Sequence, residues 1–529
     1  MRHISTLLNL KMKTPNIILK HLISLAFVHC CLDSVAIANP ITVENLNPGT
    51  RNWNLSINDD AHTATDAIGQ IKGYTSATSV NKGRRIDFKI SVSPAQDFTI
   101  EVYRVGWYGG KGGRLMRTIG PIAGSTQAPC PRNELTGLIE CSWSTSYTLK
   151  VPSSWTSGVY LAKLKNASGF DSGTIFVVRD DNRIADFLYQ QPVTTYQAYN
   201  EYPTGVNGKS LYGNVLGESP AVKVSFNRPY GDYQQSTNGY SDFLFWELML
   251  VKWLEKEGYD VAYSTNIDTH LNGNRLLNYR AFISTGHDEY WSKEMRDAVE
   301  NARGHGVNLA FFGSNAAYWQ VRLEPASDGS PNRTMVGYKS SILDPIADPA
   351  LKTDLFRSPT VNRPEQELLG SQYISYNHLW NLNTYTDLIV KNTSHWVYKG
   401  SGLIEGQRIP AIVGYEIDTI YPSPTLLPTN TEFTVLAASP FVDINGDNFI
   451  QNSLIYKTPQ GGWVFASGTM SWSWALDFES SMAAFGEPYV KNLTNPGLQK
   501  ITQNIMDRFT CYPRDSRIGW FYFFKKPNC

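Results

Sequence analysis

The chain has 529 residues, and at roughly 150 residues per domain this length predicts two to four domains, which excludes a single small binding module. Charged residues make up 18% of the chain, with 47 Lys and Arg against 47 Asp and Glu, so no net charge attracts nucleic acid or anionic lipid. Hydrophobic residues at 42% and aromatic residues at 12% are typical of a protein with large buried cores, which excludes native disorder.

The first 38 residues have the pattern of a secretory signal peptide. Lysines precede the apolar run 22–32, and Ala36-Ile37-Ala38 supplies the small residues of a cleavage site. The alternative interpretation is an uncleaved membrane anchor, but His29 interrupts the run and a span needs about 20 apolar residues. We therefore expect a secreted protein, extracellular or periplasmic, that has no membrane span after cleavage.

Cleavage of the signal would leave four cysteines, which are Cys130, Cys141, Cys511 and Cys529. Of the three connectivities we favour Cys130–Cys141 and Cys511–Cys529, because each pair closes a short loop in an oxidising compartment. Residues 511–529 would then form a tail held by a disulfide. No cysteine lies between Cys141 and Cys511, so chemistry in that stretch cannot use a thiolate nucleophile.

Residues 41–181 read as a run of short strands with turn residues between them. Apolar and polar residues alternate in 85–92 and 99–105, and later strand-like runs cover 147–151, 158–164 and 173–178. Runs of period two at this spacing are typical of an antiparallel sandwich. We predict an N-terminal β-sandwich domain of immunoglobulin-like type.

From residue 182 the pattern changes to alternating strands and helices. Strands are predicted at 185–190, 259–263, 281–285 and 307–312, and helices at 242–256 and at 292–304, where Ser292 is the expected N-cap. Nearly continuous apolar strands that alternate with helices predict a doubly wound parallel sheet over residues 182–510. Strand-rich insertions are expected at about 325–460, with strands at 386–390, 411–417, 432–438 and 453–458. A strand at 463–467 and a helix at 497–509 are expected to return to the sheet.

Polar residues follow the predicted parallel strands, at the sheet edge where open α/β folds bind ligands. His287, Asp288, Glu289 and Tyr290 form the densest group, and the strands on either side lead to Tyr199, Asn200, Asn315 and Tyr318. No Ser or Cys stands at the turn and no G-x-S-x-G occurs, so a covalent mechanism is disfavoured. Acid–base catalysis or metal binding remains, although the same residues could instead cap a helix or pack in a core.

Several runs together resemble the secreted relatives of the N,N-dimethylformamidase large (beta) subunit family. The runs are 73–81, 103–110, 196–200, 285–292, 310–319, 363–365 and 413–416. The resemblance extends over about residues 41–510 and implies a C-terminal region with a glutamine-amidotransferase-like core. The turn at 287–290 reads His-Asp-Glu-Tyr where we expect His-Pro-Glu-Tyr in the enzyme, so Asp288 adds a second acid.

The resemblance also implies a mononuclear iron held by two tyrosinates and one glutamate, which activates water to hydrolyse a small amide. We match the phenolates to Tyr290 and Tyr318, and the carboxylate to Glu365 or, as second choice, Glu416. Phenolates at neutral pH require a strong Lewis acid such as ferric iron, which lowers the pKa of bound water and polarises a carbonyl. His287, Asp288 and Glu289 are then the predicted catalytic residues, and the substrate contacts are predicted at Tyr199, Asn200 and Asn315.

Two hypotheses of different class follow. The first is a secreted metal-dependent hydrolase that cleaves the C–N bond of a small amide or of a surface polymer. The alternative is a non-catalytic secreted protein that binds glycan or a cell surface through its aromatic residues. Glycoside hydrolysis by paired carboxylates such as Asp288 and Glu365 is a third reading, which depends on their separation.

Overall fold

The computed structural model describes residues 39–55, 62–214, 216–232, 240–379, 381–422, 432–479 and 491–511. The predicted signal peptide at 1–38 and the predicted pairing of Cys511 with Cys529 lie outside the described residues. The other predicted disulfide, Cys130–Cys141, is confirmed. No helix in the described ranges is both long and apolar enough to cross a membrane.

Two sheets make up the N-terminal region. The five-stranded sheet has the order β2-β8-β7-β4-β5, and the three-stranded sheet has the order β1-β3-β6. Their strands are β1 Ile71–Thr75, β2 Ser79–Asn81, β3 Arg85–Val92, β4 Asp97–Val105, β5 Gly113–Ala123, β6 Tyr147–Lys150, β7 Gly158–Asn166 and β8 Asp171–Arg179. Neighbouring strands are antiparallel except for β2 and β8. Alternate residues such as Phe88, Ile100 and Phe176 fill the space between the two sheets.

A seven-stranded sheet forms the centre of the C-terminal region, with the order β11-β9-β12-β14-β23-β22-β21. Its strands are β9 Phe187–Gln191, β11 Val261–Thr265, β12 Ala281–Gly286, β14 Asn308–Gly313, β21 Glu432–Val442, β22 Asn448–Lys457 and β23 Trp463–Ala466. The first five strands in that order are parallel, and β22 and β21 extend the sheet in antiparallel fashion. The predicted return of residues 463–467 to the sheet is therefore confirmed.

Helices cover both faces of this sheet. The helices are α1 Pro40–Glu44, α2 Val193–Tyr199, α3 Tyr240–Asp242, α4 Leu248–Lys256, α5 Asn266–Asn272, α6 Lys293–Gly304, α7 Gln366–Leu369 and α8 Pro496–Thr510. A π-helical segment, Phe243–Glu247, joins α3 to α4, and short 3₁₀ turns occur at Tyr108–Gly110, Gly273–Asn278, Pro349–Leu351, Leu382–Thr384, Trp396–Tyr398 and Met470–Ala475. Helix α6 packs on one face through Met295 and Val299, and α4 and α8 pack on the other. Ser292 caps α6 as predicted, because its hydroxyl accepts a hydrogen bond from the Met295 amide at 3.2 Å.

The five-stranded sheet has apolar residues on both faces. In β7, Tyr160 and Ala162 belong to the core shared with the three-stranded sheet, whereas Val159 and Leu161 belong to the core of the C-terminal region. Because successive residues of a strand point to opposite faces, this sheet lies between two layers. Immunoglobulin-like and glutamine-amidotransferase-like identities of the two regions stay predictions.

Smaller sheets lie around the edge of the central sheet. They have the orders β10-β16-β15-β13, β17-β20 and β18-β19. Their strands are β10 Lys223–Ser225, β13 Tyr290–Ser292, β15 Trp319–Glu324, β16 Thr334–Val336, β17 Gln372–Tyr376, β18 Thr386–Ile389, β19 Arg408–Val413 and β20 Glu416–Thr419. The single strand predicted at 411–417 is wrong, because β19 pairs with β18 whereas β20 pairs with β17.

Candidate active site

The site lies where the parallel strands β9, β12 and β14 end at one edge of the central sheet. Gly286 and Gly313 are partners at the ends of β12 and β14, and a Cβ on Gly313 would lie 2.2 Å from the carbonyl oxygen of Gly286. Gly286 also has a φ of 64°, which favours glycine. These two glycines let the turns that follow them approach closely, so His287 and Asn315 face the same space.

Two phenols and a carboxylate meet at this edge. The Tyr199 hydroxyl donates to Glu289 Oε2 at 2.9 Å, and the Tyr212 hydroxyl donates to Glu289 Oε1 at 3.2 Å. The two hydroxyl oxygens are 2.8 Å apart, and the rings stack with centroids 4.4 Å apart. We call Tyr199, Tyr212 and Glu289 the tyrosine–glutamate cluster.

His287 lies beside the cluster and is fully buried. Its Nε2 lies 3.1 Å from Glu289 Oε2 and 3.1 Å from Glu416 Oε2. Burial lowers the pKa of His287, but the charges and hydrogen bonds of Glu416 and Glu289 outweigh it, so the pKa lies well above its usual value. The imidazole is therefore protonated at neutral pH in this arrangement.

Asn315 fixes the second carboxylate. Its Nδ2 donates to Glu416 Oε2 at 2.9 Å, and its backbone amide donates to Asp418 Oδ1 at 2.8 Å. Asn315 has a φ of 53°, a left-handed conformation that asparagine tolerates better than most residues. The turn after β14 thereby holds Glu416 at its distance from His287.

The electrostatics of the cluster favour protonated phenols in the absence of a cation. Desolvation of the hydroxyl groups, followed by the charge of Glu289, raises the pKa of Tyr199 and of Tyr212 well above 10, although the Tyr212 side chain as a whole is 46% exposed. Burial also acts to raise the pKa of Glu289, but the hydrogen bond and charge of His287 lower it overall. A positive ion among these oxygens would act in the opposite direction on both phenols.

Comparison with known proteins gives the family. The profile of the family described as N,N-dimethylformamidase beta subunit-like, C-terminal, matches residues 99–487. The chain belongs to this family. The relatives include the N,N-dimethylformamidase beta subunits of Alcaligenes sp and of Paracoccus aminophilus, each 22% identical over an alignment of 440 positions that covers 70% of this chain and 55% of the relative.

The chain thus spans about half the length of the curated dimethylformamidase subunits that it matches. Among solved structures, a superoxide reductase (neelaredoxin) from Ignicoccus hospitalis is 15% identical and covers 22% of this chain and 81% of its own, with a TM-score of 0.13. A similarity this low carries no argument about fold or activity.

The donor atoms of the cluster fit the iron site that membership of the dimethylformamidase-like family led us to expect. Phenolate and carboxylate oxygens are hard anionic ligands, and two ligands that share one small ion at right angles lie about 3 Å apart. The oxygens of Tyr199, Tyr212 and Glu289 lie 2.8 to 3.2 Å apart. Across the described ranges, no three His, Cys, Asp or Glu side chains form a group that could hold a metal ion. The cluster differs from such groups because two of its three members are phenols.

The residues that we matched to the iron ligands are divided between two places. Tyr290 lies next to the cluster, and its hydroxyl donates to the Tyr212 hydroxyl at 2.6 Å. The guanidinium of Arg357 lies 5.1 Å from the centre of the Tyr318 ring and donates to both oxygens of Glu365, at 3.0 and 3.2 Å. The structure therefore brings Glu289 into contact with two phenols and places Glu365 in an ion pair.

The side chain of Asp288 is held by hydrogen bonds from neighbouring elements, and its predicted catalytic role stays a prediction. Its two oxygens accept hydrogen bonds at 2.8 to 3.0 Å from the side chains of Gln190, Asn266, Ser284 and Trp291. Burial raises the pKa of Asp288 although these donors lower it. The second acid of the His-Asp-Glu-Tyr turn therefore supports the turn.

The side chain of Asn200 also stabilises the backbone around it. Its side chain donates to the Pro229 carbonyl at 2.9 Å and accepts from the amides of Tyr202 and Gly231 at 3.0 and 2.9 Å. These contacts fix the loop that carries Tyr212. The predicted substrate contact of Asn200 stays a prediction.

Sequence reasoning missed three residues of the site. Tyr212 lies in a loop without hydrophobic periodicity, and Lys339 lies in a predicted insertion, so neither gave a local signal. Asp242 was read only as the start of a helix, yet burial raises its pKa to about 7, with His287 lowering it and Glu416 raising it. The sequence did carry a signal for two other residues of the site. His287 and Glu289 are spaced i, i+2, and in an extended chain this spacing places both side chains on one side.

Proposed function

We propose that this protein hydrolyses the C–N bond of an amide with an iron ion held by Tyr199, Tyr212 and Glu289. The observation that carries the proposal is the contact among the three groups, whose oxygens lie 2.8 to 3.2 Å apart. Membership of the dimethylformamidase-like family supports an amide as the substrate. The named substrate of the relatives, N,N-dimethylformamide, is one candidate among small amides.

An iron ion held by these oxygens would supply a Lewis acid that polarises the amide carbonyl and acidifies water. The ring of His287 lies beside that of Tyr199, with centroids 5.1 Å apart, and its Nε2, 3.1 Å from Glu289 Oε2 and from Glu416 Oε2, can hold or release a proton. In hydrolysis, the oxygen of water bonds to the carbonyl carbon, the C–N bond breaks, and one proton must reach the leaving nitrogen. His287 and Glu416 are the groups placed to carry that proton.

Asn315 is also a predicted substrate contact. Its Oδ1 is buried and has no hydrogen-bond partner among the described residues. A buried acceptor without a partner is costly, and the N–H of a primary or secondary amide would satisfy it, whereas N,N-dimethylformamide has no N–H to donate. We assign Asn315 two tasks, to orient Glu416 and to accept a hydrogen bond from the substrate.

Iron analysis of single variants tests the ligand assignment. We expect about one iron per chain and visible phenolate-to-iron absorption in the wild type. Tyr199→Phe, Tyr212→Phe and Glu289→Gln should each lose most of the iron and the absorption. Tyr318→Phe and Glu365→Gln are matched controls that remove the same groups a short distance away, and they should keep both.

Two outcomes would contradict the proposal. A wild-type protein with less than about 0.1 iron per chain, purified without chelators, would remove the metal-dependent mechanism and leave the glycan-binding alternative. Loss of iron in Tyr318→Phe and Glu365→Gln, with retention in Tyr212→Phe, would restore the ligand set matched from the sequence.

Export is part of the same proposal. The pattern of residues 1–38 supports it, and so does the disulfide Cys130–Cys141, because disulfides persist in oxidising compartments. N-terminal sequencing of protein from the periplasm or medium of an expressing cell should begin at Asn39. Recovery of an unprocessed chain that begins at Met1 would contradict export by cleavage.

A further inference from the structure

The disulfide Cys130–Cys141 closes the base of a small hairpin in the connection between β5 and β6. Next to the disulfide, Arg132 and Ile139 pair as an antiparallel bridge. We call residues 130–141 the disulfide hairpin. Cys141 is buried, whereas Cys130 is partly exposed, so a thiol reagent can reach the S–S bond from one side.

The tip of the disulfide hairpin lies against the chain that follows Tyr212. The carbonyl oxygen of Thr136 accepts a hydrogen bond from the amide of Val222 at 2.8 Å. A Cβ on Gly137 would lie only 2.6 Å from that of Ala221, so the two backbones are in close contact. A hairpin of the N-terminal region thereby supports the segment that returns from a residue of the tyrosine–glutamate cluster.

The base of the disulfide hairpin contacts the same segment on both sides of Tyr212. Tyr202, which precedes Tyr212, packs against a small apolar cluster to which Cys130 and Cys141 belong. The amide of Cys141 donates to the carbonyl oxygen of Asn227, which follows Tyr212, at 2.8 Å. The disulfide is therefore in contact with the chain that leads to Tyr212 and with the chain that leaves it.

Arg228 extends these contacts to the loop that carries Tyr212. It is fully buried, and its Nη1 donates to the carbonyl oxygen of Lys209 at 3.0 Å. The loop is closed by the amide of Ala221, which donates to the carbonyl oxygen of Ser210 at 2.8 Å. A continuous set of backbone contacts thus joins the disulfide hairpin to the loop.

We propose that Cys130–Cys141 is a redox switch for metal binding, in which the disulfide form holds Tyr212 where it can ligate the ion and the dithiol form does not. The inference rests on the proposed function, because that function makes Tyr212 a ligand. Without the S–S bond the hairpin gains conformational freedom, and the loop that it supports gains freedom with it. The two cysteines position Tyr212 and do not themselves touch the substrate.

The redox step is a thiol–disulfide exchange. The two cysteine thiols give up two electrons and two protons and form one S–S bond, while the disulfide of an exported thiol oxidoreductase is reduced to two thiols. Reducing compartments keep such thiols reduced and oxidising compartments do not. The chain would therefore bind its metal ion only after it has left a reducing compartment.

A variant without the other cysteine pair allows one bond to be reduced at a time. Cys511→Ser/Cys529→Ser leaves Cys130 and Cys141 as the only cysteines after residue 31. Dithiothreitol reduces their S–S bond and is itself oxidised to a cyclic disulfide. Alkylation followed by mass spectrometry counts the free thiols in each sample of the full chain.

Hydrogen exchange of the two forms tests the coupling without reference to iron. The amides of Leu211 and Val222 donate to backbone carbonyls at 3.0 and 2.8 Å, so both should be protected in the disulfide form. We expect peptides that contain them to exchange at least about tenfold faster in the dithiol form. Peptides from β12 and β14, in the central sheet, should exchange at the same rate in both forms.

Iron binding tests the functional part of the switch. Cys130→Ser/Cys141→Ser, loaded with iron in the absence of reductant, should bind it at least about tenfold more weakly than the wild type and lose the phenolate-to-iron absorption. Cys511→Ser/Cys529→Ser is the matched control, because it also removes two cysteines, and it should bind iron as the wild type does. Reoxidation of the reduced control variant should restore its iron affinity.

Three outcomes would overturn the switch. The first is unchanged exchange at Leu211 and Val222 after reduction. The second is equal acceleration in β12 and β14, which would make the disulfide a support of the whole fold. The third is unchanged iron affinity in Cys130→Ser/Cys141→Ser.

The two measurements also separate this inference from the proposed function. Faster exchange at Leu211 and Val222 in a protein that binds no iron in either form would support the coupling of the disulfide to the Tyr212 loop and remove the iron mechanism. Iron binding that is equal in both forms would support the iron site and overturn the switch.

Discussion

His287 has two carboxylates at equal distance from one nitrogen. Glu289 and Glu416 each place an oxygen 3.1 Å from Nε2. Their other partners differ, since Glu289 accepts from the phenols of Tyr199 and Tyr212, whereas Glu416 accepts from Asn315. In the proposed mechanism, Glu289 binds the ion and Glu416 transfers a proton together with His287.

Substitution of the two glutamates should therefore separate the two tasks. Glu416→Gln should keep its iron and lower kcat by about 10²- to 10⁴-fold, the range of a lost general acid–base partner. Glu289→Gln should lose iron as well as activity. Iron content and kcat on an amide that the wild type hydrolyses measure both effects, and loss of iron in Glu416→Gln would contradict the division.

The local sequence located the site but not the direction of each side chain. The turn after strand 281–285 predicted His287, Asp288 and Glu289 as one catalytic group. The structure separates them, because successive side chains point to opposite sides and Asp288 meets Gln190 and Trp291 below the turn. Tyr212 could not be found, since its contact with Glu289 spans 77 residues and follows from the fold alone.

At the scale of elements, a buried ion pair joins β4 of the N-terminal region to α4 of the C-terminal region. Arg104 donates to the two oxygens of Glu255 at 2.7 and 2.9 Å, and both side chains are fully buried. Glu255 also accepts from the Tyr263 hydroxyl and from Asn45 Nδ2, each at 2.8 Å. Both terminal nitrogens of Arg104 and both oxygens of Glu255 have partners, whereas Arg104 Nε has none among the described residues, and the removal of one member leaves several groups without a partner.

We expect Arg104→Ala or Glu255→Ala to lower the free energy of unfolding by about 3–5 kcal/mol, because an uncompensated charge stays buried. The double variant Arg104→Met/Glu255→Leu should cost less than the sum of the two single changes. Urea denaturation at constant pH measures these values. Arg132→Ala removes one member of a partly exposed pair with Glu134 and should cost much less; an equal cost for both pairs would contradict the argument.

Strand bounds could be predicted from the sequence where one face of the strand is buried. They were harder to predict where pairing with a strand distant in sequence sets the bounds. The strand predicted at 85–92 has the bounds of β3, because its alternation records one apolar face. The strand predicted at 411–417 is two strands, since a Cβ at Gly414 would lie 2.3 Å from the Tyr385 ring and the pairing partner changes there. The apolar residues Ala411 to Val413 give no sign of that change.

For the whole molecule, Asp418 couples stability to pH. Burial raises the pKa of Asp418 to about 7, and the Asn315 amide opposes this effect in part. In the unfolded chain an aspartate has a pKa of about 3.9. The folded state therefore binds this proton more tightly, and the stability due to Asp418 falls as pH rises from about 4 to about 7.

Between pH 5 and pH 8, Asp418 should lower the free energy of unfolding by about 2–3 kcal/mol. Asp418→Asn keeps an oxygen that accepts from the Asn315 amide but does not titrate, so it should remove this part of the pH dependence. Urea unfolding of both proteins at the two pH values measures the difference. Asp297→Asn, an exposed acid whose side chain is 44% accessible, is the control and should leave the slope unchanged. A parallel pH profile for wild type and Asp418→Asn would contradict the prediction.

The five-stranded sheet, with apolar residues on both of its surfaces, has a consequence for how this architecture can be reused. If the polypeptide were cut after residue 181, Val159 and Leu161 of the N-terminal fragment would be exposed to water, together with neighbours such as Tyr103. A contiguous exposed apolar surface of that kind promotes self-association. The N-terminal region is consequently not a portable accessory module, and gene fusions that include it must also include the C-terminal region.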